Sequence, residues 1–185
     1  VAYAVAHTAL FEVVMGNPFI FYGAIGLELL LVFSFGKVAR NLSFAGASAM
    51  FLTYAALNGI TLSYIFMAYT MTSIASVFFI TAGSLAALSF YGLVTKRDLS
   101  AIGKFMFIGL IGILIATVVN IFVGSSAMSF GISVIGVLVF AGLTAWDNQK
   151  LKLMYEQSGG AGNLALIGAL ILYLDFINMF LFLLR

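Results

Sequence analysis

The sequence predicts an all-α integral membrane protein of seven transmembrane helices, the first of them truncated at the start of the chain. Three observations carry that prediction. Long apolar stretches alternate with short polar ones, and most approach the ~20 residues that a helix needs to cross a bilayer. Only 8% of the residues are charged and 64% are hydrophobic, whereas a soluble domain carries about 25% charged residues. A surface with so few charges faces lipid. Finally, the roughly ten-residue alternation of a membrane β-barrel is missing, so helices rather than strands span.

Charges and turn residues divide residues 1–185, read as a single transmembrane domain, into seven segments. Residues 1–11 read as the remnant of a first helix whose start is missing. Residues 12–18 form a short loop, with Asn17-Pro18 as its turn signal. The second helix covers residues 19–36 and is interrupted only by Glu28. After a basic loop at 37–41, the third covers 42–69. The fourth covers 74–94 and precedes Lys96-Arg97-Asp98. The fifth covers 103–123 and stops at Gly124-Ser125-Ser126. The sixth covers 128–149. Residues 156–163, with Gly159, Gly160 and Gly162, form a flexible connector, and the seventh helix covers 164–184.

The basic residues fall in alternate loops. Lys37 and Arg40, then Lys96 and Arg97, then Lys150 and Lys152 follow the second, fourth and sixth helices. The other loops carry no Lys or Arg. The positive-inside rule therefore puts the three basic loops in the cytosol. A fully spanning seventh helix leaves the C-terminus outside; a re-entrant one returns it to the cytosol.

Several function classes are excluded. There is no cysteine, which removes disulfides, thiolate metal sites and thiol catalysis. His7 is the only histidine, and no zinc spacing surrounds it. Phosphate-binding glycine motifs are missing. A net charge of +2 without a basic stripe argues against nucleic acid. No resident cofactor and no enzymatic activity are expected.

The informative residues are carboxylates in apolar surroundings. A carboxylate at mid-bilayer costs roughly 2.5 to 3.5 kcal/mol on insertion scales. Glu28 sits in the middle of the second helix, Asp175 in the middle of the seventh, and Asp147 near the cytosolic end of the sixth. Each has a plainer alternative. Asp147 beside Trp146 and Lys150 reads equally as an interfacial residue. Glu28 reads also as a protonated partner in a helix–helix hydrogen bond. Asp175 has only Tyr173 and Asn178 as polar neighbours along the chain. Two neighbouring buried carboxyls share a proton and titrate as a unit, and losing that proton sets up a repulsion that parts helices. Ionised carboxylates are also hard oxygen ligands suited to calcium. Spacing alone does not bring Asp147 to Asp175. Asp175 lies roughly 17 Å along its helix from Leu164, while Asp147 lies about one turn from Lys150. The two meet only if the sixth helix continues into the cytosol or the glycine-rich connector dips inward. Asn58, Asn120, Tyr54 and Tyr64 are further polar candidates, with interhelical bonding as their plain role. Ala45-Gly46-Ala47-Ser48 and residues 109–112 read as close-packing surfaces.

The run Tyr173-Leu-Asp-Phe-Ile-Asn178 within residues 168–185, with Gly59-Ile-Thr-Leu-Ser63, Thr95-Lys-Arg-Asp-Leu-Ser100 and residues 142–151, resembles the transmembrane Bax inhibitor motif family, in order and over nearly the whole chain. The pattern is similar to that of bacterial members. The resemblance implies six helices around a central seventh. It further implies a pH-sensitive calcium leak, with an aspartate pair at Asp147 and Asp175 as the sensor and as a calcium contact. It places Glu28 at the family's helix-two glutamate. Arg40 is the nearest match to an arginine that pairs with the dyad, at a spacing that differs by one residue. Asn178 and Tyr173 are supporting or pore-lining candidates. The expected setting is a bacterial inner membrane, with lipid, calcium ions and protons as partners, protein partners unassigned, and a monomer as the working unit. Two other functions compete with the leak. A non-transporting regulator that binds other membrane proteins fits the same sequence. An intramembrane aspartyl protease needs Tyr-Asp and Gly-x-Gly-Asp contexts, whereas the contexts here are Trp146-Asp147 and Leu174-Asp175.

Overall fold

The structure is a computed structural model that describes residues 1–39, 41–158 and 162–185. Its described residues form helices and no strand. In order they are α1 (Ala2–Ala6), α2 (Ala9–Met15), α3 (Pro18–Val38), α4 (Phe44–Thr61), a 3₁₀ turn (Leu62–Tyr64), α5 (Ile65–Ala68), α6 (Met71–Val94), α7 (Ser100–Val123), α8 (Ser126–Ser158) and α9 (Gly162–Leu184). Among the described residues, six stretches are long and apolar enough to cross a membrane, the second of them the composite Phe44–Ala68. At 1.5 Å per residue the 21 residues of α3 extend ~31 Å, about one hydrocarbon thickness.

The start of the chain differs from the expected single remnant and loop. Two short helices are separated at Thr8, whose backbone is extended at φ −132° and ψ 163°. Its hydroxyl donates back to the Val5 carbonyl at 3.0 Å and closes α1. Glu12, assigned to a loop from sequence, lies in the first turn of α2, where a carboxylate suits the positive end of the helix dipole. Asn17-Pro18 starts a helix. Pro18 occupies its first position, where a missing N–H costs nothing, and the Asn17 side chain accepts the Phe19 N–H at 3.0 Å.

The helices group into two compact units. One holds residues 1–74 with α9 up to Ile167; the other holds residues 75 onward with α9 from Gly168. In the first unit α3 and α4 pack side by side, and α1 lies against α4 and the 3₁₀ turn. A Cβ at Gly59 would press on Val1, and Tyr3 meets Phe66 edge-on at 5.6 Å. Thr61 donates to the Asn58 carbonyl at 3.1 Å, and Ser63 to that of Ile60 at 2.7 Å. Such back-bonding hydroxyls bend helices, and here they accompany the switch from α4 to the 3₁₀ turn. The first residues of α9 are fastened to this unit by Asn163, whose side-chain amide donates to the carbonyls of Ala39 at 2.9 Å and Leu42 at 2.7 Å.

The second unit is built on the α7–α8 hairpin. Gly124 turns the chain at φ 66°, a left-handed conformation that glycine adopts without strain. Asn120 secures the turn, donating to Ser129 Oγ at 2.6 Å and accepting the Ser125 N–H at 3.1 Å. Bulk alternates with glycine down the two helices: Trp146 lies over Gly103, Met106 over Gly142, and Val139 over Gly109. Residues 109–112 were expected to pack closely throughout, but a Cβ at Gly112 would meet nothing. The apolar core centres on Ile113, Ile132, Val139, Phe140, Leu143 and Met179. α6 runs against α8 so closely that a Cβ on Gly92 would strike the Ala145 carbonyl.

Candidate functional site

The length of α8 supplies what the sequence left open. The sixth helix was expected to end at residue 149, yet α8 continues to Ser158. The extension holds Leu151, Lys152, Leu153, Met154, Glu156 and Gln157, all good helix formers; Lys150, Lys152 and Glu156 mark the stretch as outside the membrane, which is not the same as outside a helix. Asp147 lies 11 residues before Ser158, and Asp175 lies 13 residues after Gly162. At 1.5 Å per residue these are ~17 and ~20 Å from the connection, so antiparallel helices bring the two carboxyls to one level. The contacts agree: Leu151 meets Gly168, Thr144 meets Asp175, and Phe182 covers Gly136. Each step is seven residues along α9 and seven or eight along α8, the two-turn repeat of helices packed at a shallow angle.

Asp175 is buried at 4% exposure, and its Oδ2 has no hydrogen-bond partner. A buried acceptor without a donor costs about 1–3 kcal/mol, so this oxygen is a place for a proton, an ion or a water. Asp147, half-buried, acts on it electrostatically, and the Thr144 side chain lies within hydrogen-bonding reach. Thr144 is fully buried, and its hydroxyl donates to the Phe140 carbonyl at 2.8 Å. Asn148, also buried, donates to Ser89 Oγ at 2.9 Å and to the Thr144 carbonyl at 2.8 Å. Lys150 is the cation facing Asp147, and its ammonium sits 4.8 Å over the Trp146 ring. Thr144, Asn148 and Ser89 were not singled out from sequence. Thr144, Asp147 and Asn148 fall three and four residues apart, one helical face, and that spacing was the available signal.

The remaining candidates are placed differently. Glu28 is half-buried in the first unit with its own partners. Asn58 donates to its Oε2 at 3.1 Å, and the Thr61 hydroxyl lies 2.8 Å from its Oε1. It is joined to α4 by interhelical hydrogen bonds in which Glu28 accepts from Asn58, whereas the plainer reading made it a donor. Asn178 directs its amide to the Leu174 carbonyl of its own helix at 2.8 Å. Tyr173 is half-buried on α9. Arg40 lies outside the described residues. The His7 ring lies 4.4 Å from that of Tyr3, tilted by 38°, near the start of the chain. Among the described residues, no three His, Cys, Asp or Glu side chains group to hold a metal, so a cation at Asp147 and Asp175 would take its other oxygens from carbonyls and water.

Residues 1–185 match throughout the family described as "Inhibitor of apoptosis-promoting Bax1". The chain belongs to this Bax inhibitor family. Among its relatives is the inner membrane protein YbhL of Escherichia coli strain K12, 46% identical over 188 residues that take in 99% of this chain and 80% of YbhL. An uncharacterized membrane protein of Streptococcus pyogenes serotype M3 is 47% identical, covering 95% of this chain and 77% of its own. An uncharacterized protein of Deinococcus radiodurans is 48% identical over 85% of this chain and 70% of its own. The Bax inhibitor resemblance read from the Tyr173–Asn178 run thus extends over the whole chain, and the chain is a multi-pass membrane protein with bacterial relatives.

Proposed function

We propose that this Bax inhibitor family member is a pH-sensitive calcium leak channel of a bacterial inner membrane, gated by protonation of the Asp147–Asp175 pair. The observation that carries the reading is the meeting of two carboxyls on α8 and α9, one of them buried with an oxygen unpartnered. At low pH the pair holds a proton, and α8 and α9 stay together. As the pH rises the proton leaves. Two like charges on facing helices then repel, and a repulsion of about 2.7 kcal/mol already shifts a two-state gate roughly a hundredfold. The parted helices then offer carboxylate oxygens to calcium. Calcium takes six to eight oxygens, and two carboxylates supply too few for a resident ion. A weak contact that releases its ion suits a leak. The basic loops face the cytosol, Glu28 is a supporting polar group in the membrane, and the monomer is the working unit.

The test is calcium flux into liposomes across pH. Wild-type flux should rise from acid to neutral pH. Asp175→Asn and Asp147→Asn each leave a single carboxyl with no like charge to repel, and each should flatten the profile. Full pH dependence in both variants would overturn the dyad. No flux from wild type at any pH would favour the non-transporting regulator.

A further inference from the structure

We infer that the second unit carries a binding site for the phosphate group of an anionic lipid, in a cavity of about 310 Å³ between residues 95–98 and the overhanging part of α8. Its wall toward the membrane is formed by Gly92 and Leu93, the last turn of α6, with Leu153 opposite. Its rim carries Lys96, Arg97 and Lys152, all exposed. An apolar floor below a cationic rim, at the end of a membrane-spanning helix, fits a headgroup joined to acyl chains. Basic pockets of this kind at cytosolic helix ends hold anionic headgroups.

The backbone that carries the rim is held in place, and so is the Lys152 ammonium. Gln149 ties the loop on both sides of Asp98: its amide donates to the Arg97 carbonyl at 2.8 Å, and its oxygen accepts the Leu99 N–H at 2.9 Å. The Arg97 N–H donates to Thr95 Oγ at 3.3 Å. Lys152 donates one proton to the Leu93 carbonyl at 3.0 Å and keeps two. Two acids also line the cavity, Asp98 and Glu156. Asp98 accepts the Ser100 N–H at 2.8 Å and keeps its charge, so three cations stand against two carboxylates and the lining is net positive by one. The site owes nothing to Asp147 or Asp175, so it stands whether or not the chain conducts calcium.

The experiment is native mass spectrometry of the purified full chain with phosphatidylglycerol or phosphatidylcholine added. Wild type should retain phosphatidylglycerol preferentially. Each basic residue near a membrane surface contributes about fivefold, so Lys96→Gln with Arg97→Gln should reduce retention roughly 25-fold. Lys104→Gln removes a nearby cation that does not line the cavity and should leave retention unchanged. A millimolar inorganic phosphate arm separates the sources: displacement of the lipid means that the site also accepts free phosphate, and persistence means that it needs the whole amphiphile. Equal retention of the two lipids by wild type, undiminished retention by the double variant, or an equal loss in Lys104→Gln would each overturn the site.

Discussion

Glu28 illustrates how a single residue is constrained by its neighbours. The Thr61 hydroxyl lies within reach of both Glu28 Oε1 and the Asn58 carbonyl, and one proton cannot serve both. Either Thr61 donates to the carboxylate, or the carboxyl donates its own proton to Thr61, which then donates to Asn58. Glu28→Gln reproduces the second pattern, and its melting temperature in detergent should stay near wild type. Glu28→Leu removes the acceptor of the Asn58 amide and of the Thr61 hydroxyl across the two helices and should lose about 1–3 kcal/mol. Equal stability of the Leu and Gln variants would show that these bonds contribute little. At Asp98 the sign of a pH effect follows from its partner. Ser100, through its side chain and its N–H, holds the carboxyl below its ordinary value of 3.8, and Lys104 adds to this. A lowered carboxyl pKa stabilises the fold above the unfolded value and loses that contribution as pH falls through the folded one. Wild type and Asp98→Asn should therefore melt apart at neutral pH and converge below pH 3.8.

At the scale of elements, glycines set how closely helices approach. A Cβ at Gly92 would meet the Ala145 carbonyl, which cannot rotate aside. Gly92→Ala should therefore part α6 from α8 and lower stability by about 1–3 kcal/mol, measured by thermal melting. Gly112→Ala, with open space around it, should be neutral. The membrane spans were legible because lipid demands long apolar runs, and all six of the long ones appear near their expected places. What was not legible lay where helices outlast or interrupt the apolar pattern. The overhang from Lys150 to Ser158 looked like a loop by charge. The 3₁₀ turn at Leu62–Tyr64 has no hydropathy signature, since its backbone is shaped by the Thr61 and Ser63 hydroxyls. The burial of Asp175 was legible alone, because a carboxyl in the middle of an apolar run is carried into the bundle with it. Its meeting with Asp147 depends on where α8 ends, and no local pattern around Asp147 reports that.

For the whole molecule, topology is open to a direct test because the chain has no native cysteine. Single cysteines at Lys37, Lys96 and Lys152 should react with an impermeant reagent from one side of the membrane. Those at Asn17, Thr70 and Ser125 should react from the other. Labelling of Lys96 and Ser125 from the same side would contradict the alternation of basic loops on which the orientation rests. The same set would report whether reconstituted protein enters liposomes in one direction, which decides how a flux profile is assigned to the two faces.

The Trp146 ring lies over Gly103, beneath the Lys150 ammonium, and next to Asp147 in sequence. It is the only tryptophan in the chain. The protein thus carries a built-in fluorophore one residue from half of the carboxyl pair, with no background from elsewhere. Emission excited at the indole band becomes an optical readout of charge at that position, in lipid and without labelling. A titration that changes intensity or wavelength in wild type but not in Asp147→Asn would follow the pair in real time, alongside ion movement in the same cuvette.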